Sequence, residues 1–390
     1  MLETPYFLLD LQKLEKNLHD MQDAFKVAWP NFFIGYSFKT NNLPWLVSWM
    51  KKQGVWAEVV STPEYELAKY VGFAENRIIF NGPNKGFEAM GNVLKAGGIV
   101  NLDSFQEIEF IRKHAGELGK VKVGLRINFD LEKACPGETI PGKEPGRFGF
   151  NIENGDFERA VRELRNIPGV VISGIHGHHS TRTKSLNIFK NVATKVCECS
   201  KFCTQLEYLD MGGCIFGDKP GAPSFDEYAK TIIDVMKSFD IDRSVNLIME
   251  PGAALVASPF SYVCKVLGTK DIKDVRLVFT DGSVKQIAPQ MNSVKFMSTL
   301  TASKENRIDR QVVSGYSCIE NDRFLELNGE RELSVGDIIE LKNTGAYSMV
   351  LSPLFIEYYP NVYVKDGEEI IVARKKWETS EFIQKSNLCK

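Results

Sequence analysis

NFFIGYSFKTNNLPWLVSWMKKQGVWAEVVSTPEYELAKYVG, residues 31–72, sets a pattern that the chain goes on to repeat. Two short runs rich in β-branched and aromatic residues, NFFIGY (31–36) and GVWAEVV (54–60), are separated by enough chain for a helix. TPEYELAKYVG then places its apolar residues three and four apart, with Thr62 as a candidate cap. Strand, helix, strand, helix is the order that parallel strands require, because each connection must cross back over the sheet. Six further runs read as strands: RIIF (77–80), GIVNLD (98–103), VKVGLRINF (121–129), VVISGIHGH (170–178), LEYLDMGG (206–213) and VNLIMEPG (245–252). FDEYAKTIIDVMKSF, preceded by Ser224 as its cap, is one of the helices between them. Strands that each lead into a helix predict an α/β fold built as a closed (β/α)8 barrel, with a doubly wound open sheet as the competing architecture. The longest gap, 130–169, holds Pro136, Gly137, Pro141, Gly142, Pro145 and Gly146, and reads as an active-site loop ahead of a helix.

After about residue 260 the texture changes. FSYVCKVLG, VRLVFTDG, RELSVGDIIELKN and NVYVKDGEEIIVARK are closely spaced β-rich runs with turn residues between them. They predict a second, mainly antiparallel β domain. The expected division is a barrel over 10–260, a β domain over 261–375 joined by 1–9, and a surface tail over 376–390.

Composition narrows the function. The chain has 390 residues, 43% hydrophobic and 25% charged, with a net charge of −2. No apolar run approaches the roughly 20 residues of a membrane-spanning helix, and no basic excess exists to grip a phosphate backbone. Neither membrane nor nucleic acid is an expected partner. The start MLETPYFLLD lacks the basic and apolar regions of a secretion signal, so a cytoplasmic protein with mostly reduced thiols is expected among its 8 cysteines. Cys197, Cys199 and Cys203 sit in a helical stretch without a second paired knuckle, and read as structural thiols.

In a barrel of this kind chemistry gathers at the C-terminal ends of the strands. Lys39 follows the first strand and Arg126 lies in the fifth. His176 and His178 end the sixth, Gly212 and Gly213 the seventh, and Glu250 with Gly252 the eighth. Taken singly each has an ordinary structural reading: a solvated lysine, a turn glycine, an Glu-Pro-Gly turn. The histidines lack a carboxylate or cysteine set at matching spacing, so no metal is expected.

Taken in order, these segments resemble the barrel-fold (fold-type III) pyridoxal-phosphate decarboxylases, a family that includes diaminopimelate, ornithine and arginine decarboxylases and, more distantly, alanine racemase. The resemblance runs from TPYFLLD at residue 4 to GAYSMVLSPLF ending at residue 355. It rests on YSFKTN (36–41), AEVVSTPEYELA (57–68), IIFNGPNK (78–85), LRINF (125–129), GRFGF (146–150), GIHGHHS (174–180), LDMGG (209–213), EPG (250–252), GYSC (315–318) and GAY (345–347).

The resemblance implies pyridoxal 5'-phosphate as cofactor, held covalently by Lys39, with Glu250 as partner of its ring nitrogen. It implies that His178 packs on the ring, that Arg126 lies beneath it and that Tyr347 reaches it from the second domain. His176 is expected to be a structural neighbour. Gly212, Gly213 and Cys214, with Gly252 and Ser180 or Thr181, match the phosphate-binding positions. Cys318, from the partner subunit of a homodimer with shared active sites, matches the residue that returns a proton after carbon dioxide leaves. Glu320 is the acid nearest the substrate-binding position beside it.

Departures from the family pattern bear on the substrate. Ala253 stands where Glu-Pro-Gly is usually followed by arginine, and DGSVKQIAPQM (281–291) lacks the arginine that diaminopimelate decarboxylases carry nearby. Ile319 replaces an acid after Cys318. Without these guanidiniums no clamp for a distal carboxylate is evident. The expected activity is α-decarboxylation of an amino acid or amino-acid conjugate other than diaminopimelate. A racemase, or a catalytically silent homologue that binds the cofactor, are the alternatives.

Overall fold

The computed structural model describes residues 2–290, 296–387 and 389, and Met291 of the 281–291 segment lies outside them. The chain forms two compact units, Asn17–Ala254 and Met1–Lys16 together with Leu255–Lys390. Strand β1 (Tyr6–Asp10) belongs to the latter. In the former, β2 (Phe32–Ser37), β3 (Trp56–Val59), β4 (Ile78–Phe80), β5 (Ile99–Leu102) and β6 (Val121–Asn128) pair in sequence, all parallel. A two-residue strand, β7 (Phe150–Asn151), lies against β6 through Ile127↔Phe150. The ring continues through β8 (Val170–His176), β9 (Tyr208–Asp210) and β10 (Asn246–Met249), and closes where Leu247 of β10 pairs with Phe32 of β2. Each predicted strand is present, and the closed ring excludes the open sheet.

The barrel interior is filled by side chains that alternate along the strands. Ile79, Tyr208 and Ile248 form one buried layer, with Phe33, Trp56 and Ile99 packed against it. Room for the Tyr208 ring comes from two glycines on neighbouring strands. A Cβ on Gly174 would lie 2.2 Å from Tyr208 Cζ, and one on Gly124 1.9 Å from Tyr208 Oη. That arrangement aims the phenol toward the polar centre of the barrel.

Two local expectations are corrected. Ser61, not Thr62, caps the helix Thr62–Tyr70: its extended backbone (φ −156°, ψ 162°) lets Oγ accept Glu64 N at 3.4 Å, while Thr62 is already helical. The 130–169 stretch is not one loop. Asp130 caps a single turn, Leu131–Ala134, by accepting Lys133 N at 3.1 Å, and Asn128 Nδ2 donates to Gly146 O and Phe148 O at 2.7 Å each, setting β7 beside β6. The helix Asp156–Arg165 follows. Ser224 caps Phe225–Ser238 as the sequence implies, in a reciprocal box with Glu227.

The other unit is a mainly antiparallel sheet. It contains β1, β11 (Phe260–Ile272), β12 (Val275–Thr280), β13 (Ser298–Thr301), β14 (Arg307–Ser314), β15 (Arg323–Arg331), β16 (Ile338–Lys342), β17 (Asn361–Asp366) and β18 (Glu369–Arg374). Only β1–β17 and β12–β14 pair in parallel among the described residues. RELSVGDIIELKN does not form one strand: β15 ends at Arg331 and β16 starts at Ile338, with Gly336 at φ +92° in the turn between. The tail includes one helical turn, Thr379–Phe382; Leu388 and Lys390 lie outside the described residues. No helix of the described residues is long and apolar enough to cross a membrane.

Candidate active site

A connected set of polar side chains occupies the C-terminal end of the barrel. Lys39 stands in the 3-10 turn Phe38–Thr40 directly after β2. Its Nζ donates to Ser37 Oγ at 2.9 Å and to Glu58 Oε2 at 3.0 Å, and Ser37 Oγ donates to the same carboxylate oxygen at 2.6 Å. Glu58 is 1% exposed, whereas the Lys39 side chain is 38% exposed. The acid is therefore fixed inside the barrel, while the lysine side chain is partly exposed.

From Glu58 the connection runs across the barrel. Asn81, just after β4, donates through Nδ2 to Glu58 Oε1 at 3.1 Å and to Glu250 Oε1 at 2.5 Å. Asn101 of β5 donates to Asn81 Oδ1 at 2.9 Å and to Asp210 Oδ2 at 3.2 Å, and accepts from Tyr208 Oη at 2.7 Å. Glu250 follows β10, and its Oε2 lies 3.4 Å from His176 Nε2. Placing Asp210, Glu250 and Glu58 together in a dry centre disfavours three full charges. Burial, and then the neighbouring Glu250, push the Asp210 carboxyl well above its ordinary range. Burial works the same way on Glu250, but the His176 ring and the hydrogen bond with Asp210 outweigh it and hold Glu250 below the usual carboxylate range. The environment therefore favours a proton on Asp210 and the charge on Glu250.

The imidazoles differ. His178 is pushed well below its ordinary value by burial and by the Arg126 and Lys39 charges, so it is neutral; its Nδ1 accepts Gly213 N at 3.1 Å, which places its hydrogen on Nε2. His179 is lowered to about 4 by burial and packs edge-on against Phe129. Arg126 is 7% exposed; it donates to Asp103 Oδ2 at 3.1 Å and His178 O at 3.3 Å, and lies 4.6 Å from the Phe148 ring. The turn after β9 is tight. Gly212 has φ +64°, and a Cβ there would stand 2.6 Å from His178 Nδ1. Cys214 tolerates φ +69° and sets its Sγ 3.2 Å from Thr181 Oγ1. A Cβ on Gly252 would lie 1.9 Å from Thr40 Oγ1, so the chain after Glu250 can pass close to the lysine turn only as glycine.

The barrel unit thus brings Lys39, Arg126, His176, His178, Gly212, Gly213, Cys214, Thr181, Glu250 and Gly252 to one end. Ser180 is exposed there, with its carbonyl accepting Ile140 N at 3.0 Å. The remaining expected residues lie in the other unit. Cys318 is exposed, Glu320 is engaged by Arg323, and Tyr347 is 45% exposed with φ +56°. Glu58, Asn81, Asn101 and Asp210 were assigned no role from the sequence. Each is a single polar residue in or at the end of an apolar strand run, and that is the pattern that could have revealed them.

The model for the pyridoxal-dependent decarboxylase family, pyridoxal binding domain, matches residues 11–257. The chain belongs to this family. A diaminopimelate decarboxylase of Archaeoglobus fulgidus is 27% identical over 398 residues, 99% of this chain and 93% of that protein. The enzyme of the same name from Bacillus subtilis is 27% identical over 413 residues, covering 99% and 91%. Among solved structures, diaminopimelate decarboxylase of M. jannaschii matches with a TM-score of 0.89 at 23% identity, over 99% of this chain and 92% of that one. Arginine decarboxylase of Paramecium bursaria Chlorella virus matches at 0.78 and 19% identity, over 93% and 96%. The chain is accordingly a pyridoxal-phosphate-dependent amino-acid decarboxylase. Its residues fit that cofactor: a partly exposed lysine, a carboxylate held below the usual carboxylate range, a neutral imidazole and a glycine turn share one end of the barrel. Arg126 Nε and His176 Nδ1 are also buried there without a hydrogen-bond partner among the described residues.

Proposed function

We propose that Lys39 carries the cofactor and that the enzyme removes the α-carboxylate of an amino acid, or an amino-acid conjugate, other than meso-diaminopimelate. The observation that carries the site reading is the unbroken connection from the Lys39 amine through Glu58 and Asn81 to Glu250. Bound pyridoxal phosphate supplies a sink for the electron pair released from the Cα bond. The chain does the rest. Glu58 and Ser37 hold the Lys39 amine at the mouth of the barrel. Glu250, anionic, would face the ring nitrogen and favour its protonated form. His178, neutral and braced by Gly213 N, would pack against the ring, and Arg126, held by Asp103, would lie near it. Gly212, Gly213, Cys214, Gly252, Ser180 and Thr181 would hold the phosphate. Cys318 of a second copy of the chain would return the proton at Cα, which makes the working form a homodimer.

The substrate reading rests on what replaces arginine. Ala253 opens the short helix Ala253–Val256 with a methyl group only. In the 281–290 stretch, Gln286 is buried and accepts Tyr262 Oη instead of facing a ligand anion. Ile319 follows Cys318, and Glu320 is paired with Arg323. None of these positions offers the guanidinium that a distal carboxylate calls for.

Carbon dioxide release from a panel of amino acids and conjugates tests this directly; fastest release from meso-diaminopimelate would refute the substrate reading. Borohydride reduction followed by peptide mapping tests the amine, and label on any residue but Lys39 would refute that part. A racemase would change chirality without releasing gas.

A further inference from the structure

Asn81 is 3% exposed, and its side-chain amide makes three hydrogen bonds inside the barrel. Its nitrogen carries two hydrogens, and each meets a carboxylate, on Glu58 and on Glu250. Its oxygen accepts Asn101 Nδ2. The opposite amide orientation would set an oxygen against two carboxylate oxygens and an NH2 group against that of Asn101, so the surroundings fix the polarity. A neutral group that donates twice is what two neighbouring anions need, since it satisfies both without removing the charge of either.

We propose that Asn81 is a positioning residue of the decarboxylase: one amide ties the carboxylate that holds the Lys39 amine to Glu250, so that the two stay aimed and anionic together. The inference rests on the roles proposed above for Lys39 and Glu250. The groups that face this pair come from every neighbouring strand. Lys39 follows β2, and Glu58 lies in β3 with Glu64 on the helix after it. Arg126 comes from β6, His176 and His178 from β8 and its end, Tyr208 and Asp210 from β9, and Glu250 from the end of β10. Arg126 is the permanent cation of this set and is already paired with Asp103, while Lys39 is the amine proposed to carry the cofactor. Removing the donor leaves Glu58 and Glu250 to repel across the gap, and one of them takes up a proton.

The holoenzyme variants Asn81→Asp, Asn81→Leu and Asn81→Ser test this. Asp has the same size but donates only when protonated; Leu never donates; Ser donates once. All three should lose at least about tenfold in kcat with KM little changed, Ser losing least. Asn81→Asp should recover as pH falls while Asn81→Leu does not. The pH at which the bound cofactor's absorbance band changes should move by about one unit or more in Asn81→Asp. Equal losses in Asp and Leu with unchanged pH profiles and an unmoved band would overturn the proposal and leave Asn81 as packing. Ser serves as the readable variant if Asp or Leu does not fold, and wild-type behaviour in Ser would also overturn it. Lys39→Ala and Glu250→Gln are the controls. If they leave cofactor attachment and kcat unaltered, the site reading fails; if they behave as expected and the Asn81 variants do not, only this inference fails.

Discussion

Two lysine–glutamate pairs of the barrel have a buried carboxylate and nearly equal length, and their surroundings separate their roles. Lys39 Nζ lies 3.0 Å from Glu58 and Lys85 Nζ 2.7 Å from Glu107. The Lys85 side chain is 1% exposed and also donates to Gly82 O at 2.7 Å. Glu107 completes its own shell with Asp103 N at 2.6 Å and Ser104 N at 3.3 Å, as part of the capping box of the helix Phe105–Leu118. Every polar atom of that pair is used locally, and nothing is left over for a ligand. At Lys39 the acid is buried but the lysine side chain is partly exposed, and the acid's second oxygen is linked to Glu250 through Asn81. An ion pair closed off by its own loop holds the fold, whereas one with a partly exposed lysine and a connection onward can do chemistry.

Substitution should split the two pairs cleanly. Lys39→Ala is expected to lower carbon dioxide release by several orders of magnitude while shifting the thermal midpoint little, because a half-open side chain carries little packing. Lys85→Met leaves the Glu107 anion buried and unpaired, and should cost about 3–5 kcal/mol in urea unfolding with kcat per folded molecule retained. The double variant Lys85→Met with Glu107→Leu should recover much of that loss, since a buried pair contributes little net stability over apolar side chains of similar volume. A Lys85→Met protein that is fully stable but inactive would erase the distinction.

This contrast also shows what could be read from the chain alone. The barrel was legible because its signals are local: apolar runs of strand length, helical periodicity between them, and glycine where turns must be tight. YSFKTN and IIFNGPNK both display a lysine after a strand, however, and nothing in either segment says which lysine stays partly exposed. Burial is decided by residues far away in sequence, Glu107 for Lys85 and Glu58 for Lys39. The same limit hid Asn81, Asn101 and Asp210, whose roles arise only when the ring closes and brings strands more than a hundred residues apart into one layer. β14 and β15 escaped for another reason. Runs such as RIDRQVVS show mainly charged residues on their open face, so their apolar alternation is faint.

The smallest expected effect concerns Glu64, an acid close to the Lys39 pair that has no lysine within salt-bridge distance among the described residues. It is half-buried, accepts Val60 N at 2.9 Å, and is raised to about 7, chiefly by burial. Because the folded protein binds this proton more tightly than the unfolded chain, its contribution to stability is complete below about pH 4.5 and is lost as pH rises through about 7. The full shift corresponds to roughly 3 kcal/mol, and partial exposure reduces the expected effect to about 1–2 kcal/mol. Urea unfolding of wild type and Glu64→Gln at about pH 5 and about pH 8 measures it as the difference between the two proteins, which cancels other titrating groups. The wild type should lose more stability between those pH values than the variant. If both lose the same amount, Glu64 is already ionised at about pH 5, and the Lys39 charge reaches it more strongly than the geometry of the Lys39–Glu58 pair implies.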